Sequence, residues 1–252
     1  MCYDVKAKLE SQLSRAKRKN DFVWMAELEE KLKPYNDTPI FKASGFDHPK
    51  LLIYEQTNPN KPVLAQWGLV PNWIKNDFEK EKIWNNTLNA RIETIFEKPS
   101  FKESAKTQRC LLQIDGFFEH HYRNNKPFTY YISRKDNEPI TIAGLASDWL
   151  NLVTGETLKT FSIVTTKANG LLAEIHNSPK LKAARIPLLL TEQKEDFWLN
   201  ETTEDTLNQI SESKLEDKLK GHLVAPIRGK NNLGNTKEVT DEYIYDEFNT
   251  LF

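Results

Sequence analysis

Four residues spread along the chain, Cys2, Asn89, Glu119 and His176, carry groups that together could run carbonyl chemistry. A small residue at position 2 permits removal of the initiator Met1. The cysteine then bears a free α-amine and a thiol on adjacent carbons. Unperturbed, these titrate near ~7.7–8.0 and ~8.5, so a minority of the amine is neutral at pH 7. Such an amine condenses with an aldehyde to an imine, and the neighbouring thiolate can close onto the imine carbon as a five-membered thiazolidine. No internal cysteine can do this, because its nitrogen is tied up in a peptide bond. A cysteine at position 2 is a weak signal alone; the downstream residues give it meaning.

Glu119 closes the run from Arg109 to Glu119, directly after Phe117 and Phe118. A carboxyl among phenylalanines is desolvated, its pKa rises, and it suits general acid/base work; the plain alternative is an edge-strand glutamate facing water. His120 and His121 invite a metal, but adjacent strand residues point to opposite faces, so no shared metal ion is expected. His176 ends a helix that begins after Thr165-Thr166-Lys167-Ala168-Asn169. A histidine there is commonly a cap, yet an ordinary pKa of ~6.5 makes it the natural proton shuttle. In Asn89-Ala90-Arg91, read as a loop entering a helix, the amide could orient a substrate or the terminal amine. Arg91 could hold a phosphate bidentately. Trp67 and Trp73 flank a Pro turn and read as core or as a stacking wall for exposed bases. His48 and His222 have no comparable company, and Cys110 reads as inert core.

Elements must bring these residues together. At 252 residues the chain suits one large domain or two small ones. Lysine plus arginine is 35 and aspartate plus glutamate 36, which excludes a global basic field, so nucleic-acid affinity must come from a local patch. Two cysteines argue against a disulfide scaffold and for a reducing compartment. No apolar run is long enough to span a bilayer, and residues 4 to 20 are too charged for a signal peptide; a soluble cytoplasmic protein is expected. Residues 6 to 33 read as helical, with a break near Asn20-Asp21. Strand-like runs fall at 51–54, 62–69, 110–114, 128–133, 139–145, 160–166 and 186–190. Modest helices fall near 168–175, 192–199 and 204–219. Strands with short turns and few helices predict an α+β domain: a mainly antiparallel, partly barrel-like sheet with peripheral helices. The domain is expected to span residues 1–237. Residues 238–252 carry five acidic side chains and no basic one, and read as an acidic tail or a loosely packed strap.

Several motifs stand along the chain in this order: Met1-Cys2, Trp67-Gly68-Leu69-Val70-Pro71-x-Trp73, Asn89-Ala90-Arg91-x-Glu93-Thr94, Pro99-Ser100-Phe101, Arg109-Cys110-Leu111, Asp115-Gly116-Phe117-Phe118-Glu119, Ala143-Gly144-Leu145, Thr165-Thr166-x-Ala168-Asn169, then His176. In this the chain resembles the SRAP family (SOS response-associated peptidase), which includes abasic-site shielding proteins, from residue 1 to about 228. The resemblance implies a β-rich α+β domain with a cleft for single-stranded DNA and a role in the DNA damage response. It implies self-removal of Met1 and covalent capture of the ring-opened aldehyde of an abasic site by Cys2, as a DNA–protein crosslink. Asn89 would orient the terminal group, and Glu119 would assist imine formation and Met1 removal. His176 would help open the sugar ring. Arg91 and Thr165 would contact the DNA backbone, with Trp67 and Trp73 as aromatic lining. No metal or organic cofactor, no membrane partner, a monomer and association with the nucleoid on damaged DNA are expected too. The chain departs from the family pattern at Asp4, where a basic residue is usual, and at Ala146, where an aromatic is usual. A third departure is the stretch between His176 and Arg185, which makes reach of Arg185 to the site a structural question; Lys180 and Lys182 are possible substitutes. Other readings of the same residues are a thiol peptidase with an N-terminal nucleophile and a non-catalytic single-strand-binding module.

Overall fold

Strands β3 (Lys50–Glu55) and β6 (Arg109–Ile114) are almost continuously apolar because both faces of each are covered. Leu51 and Ile53 join Cys110, Leu112 and Ile114 in one core cluster, while Leu52, Tyr54 and Leu111 join another. The first cluster ties the two sheets together; the second packs under helices. Burying each Leu or Ile fully stabilises the fold by about 1.5–3 kcal/mol before chain entropy is counted.

The computed structural model describes residues 2–19, 26, 30, 39–180, 182–211 and 214–249. Strand β3 pairs with β6 and with β4 (Asn58–Trp67), and β6 with β9 (Ile140–Leu150). Strand β9 pairs with β10 (Thr157–Lys167), which returns in parallel to β4 and closes a five-stranded ring. The expected partly barrel-like core is thus a closed barrel. Strand β5 (Asn89–Arg91) adds in parallel to β10, β11 (Arg185–Pro187) antiparallel to β10, and β12 (Leu189–Leu190) antiparallel to β9. A second, wholly antiparallel sheet runs in the order β13 (Leu219–Val224), β8 (Lys126–Arg134), β7 (Gly116–Arg123), β1 (Asp4–Lys6), β2 (Ala43–Ser44).

Three expectations about elements change. Residues 4–6 are a strand, and the N-terminal helix starts only at Leu9, as two short pieces, Leu9–Gln12 and Ser14–Arg18. Most of the remainder of that predicted helix lies outside the described residues. The predicted helix over 204–219 is reduced to Leu207–Ser211 and a 3-10 turn Lys214–Lys218, because Leu219 already pairs with Arg134 in the sheet. Asn89-Ala90-Arg91 is a strand, followed by a 3-10 turn at Ile92–Thr94, because pairing with Ile163–Thr165 captures it.

The N-terminal helices are locked by Arg15, whose side chain is 2 % exposed. It bonds the Pro59 carbonyl and ion-pairs with Glu195 and Asp196 of the helix Glu192–Asn200. At the other end, residues 238–249 pack against the second sheet. Val239 is fully buried, the Tyr245 hydroxyl donates to the Val224 carbonyl at 2.7 Å, and the Phe248 ring lies 4.9 Å from Phe128.

Candidate active site

Pairing of β1 with β7, Asp4 opposite Phe118, carries the N-terminus across the middle of the second sheet. Continuing that register brings residue 2 level with residue 120. Along β7 the side chains alternate: Phe117 enters the core between the sheets, and Phe118 packs on Tyr131 on the other face. Glu119 shares the face of Phe117 and is 6 % exposed. It stands in an interior strand, between β1 and β8, so the edge-strand alternative does not hold. Burial pushes its carboxyl up from 4.5 to about 7.

Asn89 reaches residue 2 from the barrel. Paired with Ile163, it donates from Nδ2 to the Cys2 carbonyl at 2.9 Å. Its Oδ1 is buried with no hydrogen-bond partner among the described residues. Cys2 itself is fully buried, its Sγ 3.9 Å from the Asp4 carbonyl. Burial first, and then the Glu119 charge, drive the thiol pKa well above its ordinary value.

His176 caps the helix Gly170–Ile175, its N–H donating to the Leu172 carbonyl. Nδ1 lies 2.6 Å from the Arg185 carbonyl oxygen and 3.2 Å from Glu119 Oε2. A carbonyl only accepts, so Nδ1 carries the proton and Nε2 presents a lone pair. Burial lowers the imidazole to about 4. The expected proton shuttle is therefore a neutral ring at pH 7, and the group poised near neutrality is the carboxyl.

Glu119 and His176 line a cavity of about 400 Å³ together with Tyr3, Phe46, His120, Tyr122, Pro127, Ser178 and Arg228. Burial raises the Tyr3 phenol, with the Glu119 charge, while Arg228 and Arg91 oppose the shift. Burial, and next the Arg228 charge, lower His120. Arg228 donates to Asp4 Oδ2 at 2.8 Å, so Asp4 serves as an internal partner rather than a surface charge. His121, on the same strand, bonds instead to the Glu174 carbonyl.

The structure thus joins Cys2, Asn89, Glu119 and His176, and leaves Arg91 exposed near Tyr3. It separates the others. Trp67 is fully buried, its indole N–H donating to the Leu88 carbonyl, which makes it core and not a stacking surface. Thr165 is buried too; its hydroxyl donates to the Ala90 carbonyl and cannot meet a strand of DNA. Arg185 is 8 % exposed and spends its guanidinium on Glu93 and Thr165, reaching the site only through its carbonyl. Trp73 is half-exposed, with its N–H 3.4 Å from the Pro99 carbonyl, and is not among the cavity's lining residues. Tyr3, Phe46 and Arg228 went unseen in the sequence. Only Tyr3, next to Cys2, had a local signal.

A covered barrel with a second sheet, and a cysteine, an amide, a carboxyl and a neutral imidazole converging beside a cavity, define a class with one buried site fed by the chain's N-terminus. The chain belongs to the family described as SOS response associated peptidase (SRAP), whose model matches residues 1–227. It is 31% identical over 220 residues to the abasic site processing protein YoqW of Bacillus subtilis (strain 168), covering 82% of this chain and 92% of that one. It is 28% identical over 201 residues to the abasic site processing protein HMCES of Rattus norvegicus, covering 69% of this chain and 54% of that one. A solved structure from Bacteroides thetaiotaomicron superposes with a TM-score of 0.80 at 27% identity, over 96% of this chain and all of the other.

Proposed function

We propose that this protein processes abasic sites in DNA, and that it does so by capturing the sugar aldehyde in single-stranded DNA covalently through residue 2 once Met1 is removed. The observation that carries the reading is the tie of Asn89 to the Cys2 carbonyl, beside a buried carboxyl pushed up to about 7. The abasic relatives YoqW and HMCES support the substrate.

The steps are as follows. Water adds across the Met1–Cys2 peptide bond, with Glu119 moving the proton, and the α-amine of Cys2 is released. Asn89 Oδ1, buried and otherwise unpartnered, accepts from that amine and orients it. The amine nitrogen adds to C1′ of the open-chain sugar to give a carbinolamine. Protonated Glu119 gives its proton to the departing hydroxyl, which leaves as water; the nitrogen then passes its remaining proton back to the Glu119 carboxylate, and an imine remains. The Cys2 thiol then forms a C–S bond to the imine carbon, its proton passing to nitrogen, and the thiazolidine closes. Ring opening precedes these steps: Nε2 of neutral His176 accepts the C1′ hydroxyl proton, the C1′–O4′ bond breaks, and O4′ takes a proton from water, to which the ring later returns its own. A buried thiol held protonated does not compete as the first nucleophile, so the amine attacks first.

Single-stranded DNA with one abasic site, incubated with the protein and then denatured, tests this. The expected result is a slow-migrating covalent band that is lost in Cys2→Ala. Salt-sensitive binding without such a band would leave only a binding module. Cys2-dependent cleavage of an unrelated peptide without it would point to a peptidase.

A further inference from the structure

One wall of the cavity is not used by this chemistry. Arg228 lies just past the 1–227 stretch that the family model matches. Its Nη2 donates to Asp4 Oδ2 at 2.8 Å, and its guanidinium carbon lies 5.5 Å from the centre of the Phe46 ring. Arg228 and Phe46 line the same cavity as Glu119 and His176. The Asp4 side chain is 4 % exposed and that of Arg228 is 51 % exposed. The carboxylate is thus the fixed anchor, and the open side of the guanidinium fork faces solvent and the cavity. A guanidinium has five N–H donors in a rigid fork, so one bond to Asp4 leaves donors for a second anion.

Charge balance says which anion. Asp4 and Glu119 make the inner end of the site negative or neutral, and a strand of DNA entering it needs a cation at the mouth. An abasic nucleotide has lost its base, so the recognisable groups next to the sugar are its phosphates. The planar fork matches two oxygens of one phosphate. Resting against Phe46 and tied to Asp4, the guanidinium loses little freedom when it binds.

We infer that Arg228 is a binding residue for the DNA phosphate adjacent to the captured sugar, and that Asp4 and Phe46 are positioning residues for it. This rests on the abasic-DNA reading above. It also gives Asp4 a role: the acid at this position holds a phosphate-binding arginine delivered from the far end of the chain.

The full chain is titrated with single-stranded DNA carrying a tetrahydrofuran abasic analogue, which cannot form an imine, from 50 to 200 mM salt. Capture rates on a true abasic strand are measured in parallel. In Arg228→Gln, Kd should rise about tenfold, and the slope of log affinity against log salt should shrink by about 0.7, the value for one phosphate on a single strand. In Arg228→Lys the charge remains and the fork is lost, so the slope should persist while Kd rises about threefold. Unchanged Kd and slope in Arg228→Gln would overturn the inference. If that variant fails to melt cooperatively, an unchanged Kd in Arg228→Lys would do so. Loss of capture by the unaltered protein would instead overturn the function reading, while the salt slope still decides the role of Arg228.

Discussion

Glu119 keeps its proton at a pH where a free glutamate has lost it, and that inversion organises the site. Its carboxyl titrates near 7 and the His176 imidazole near 4, so at neutral pH the acid/base group is the carboxyl and the ring is a neutral acceptor. The capture rate should therefore follow a bell, with one limb near 7 from Glu119 and one near ~7.7–8.0 from the terminal amine. In Glu119→Gln the limb near 7 should vanish and the rate at pH 7 should fall about 100-fold; stopped-time gels across pH read both. Stability moves the other way. Because the folded carboxyl titrates higher than the unfolded one, its contribution is full below pH 4.5 and is lost as pH rises to about 7. At about 1.4 kcal/mol per pH unit the loss is about 3 kcal/mol. Glu119→Gln should accordingly be more stable than the parent at pH 8 in urea melts, by up to about that amount. His176 has the opposite sign: lowered to about 4, it stabilises fully above 6.5 and loses that as pH falls toward 4. Asn89→Ala should slow capture about tenfold by freeing the residue-2 backbone, with little change in Tm, since one hydrogen bond contributes about 1 kcal/mol.

Elements decide which aromatic residues can meet DNA, and the sequence could not. Trp67 and Trp73 read alike, but the turn sends one into the core and leaves the other out. Gly68, with φ 115°, makes that turn, and a Cβ there would run into the Trp84 indole. Trp67→Ala should cost about 3–5 kcal/mol in denaturant melts. Trp73→Ala should stay within about 0.5 kcal/mol, and any loss of strand affinity it causes would mark it as a stacking surface after all. The barrel strands β3, β6 and β10 were legible because two-sided burial writes itself as runs such as Leu51–Tyr54, whereas β7 and β13 of the second sheet were not among the predicted runs. Strands β1 and β5 were not, because three residues carry no period; only their partners on β7 and β10 make them strands. Thr165 and Arg185 looked available for DNA, yet the pairing of β10 with β11 closes them on each other.

At the scale of the molecule, distant segments meet to build a small site. The N-terminus, the middle of the chain and residue 228 all touch one cavity, so the site exists only in the folded whole. Cys2, Glu119 and His176 were each readable for their own chemistry, but it was the resemblance to the SRAP family that joined them with Asn89 as a group. Arg228 was not readable, since its partner Asp4 lies 224 residues away. Anchoring also comes from both ends. Removing the buried one of Arg15's two carboxylate partners by Glu195→Ala leaves the guanidinium with Asp196 alone and should cost up to about 3–5 kcal/mol, read as a lowered Tm.

The most direct test of the central claim is peptide mapping by tandem mass spectrometry of protein crosslinked to abasic single-stranded DNA. The account predicts that the adduct lies on an N-terminal peptide lacking Met1, with both nitrogen and sulfur of Cys2 bonded to one sugar carbon. An adduct on a lysine, or on a chain that still begins with Met1, would contradict it.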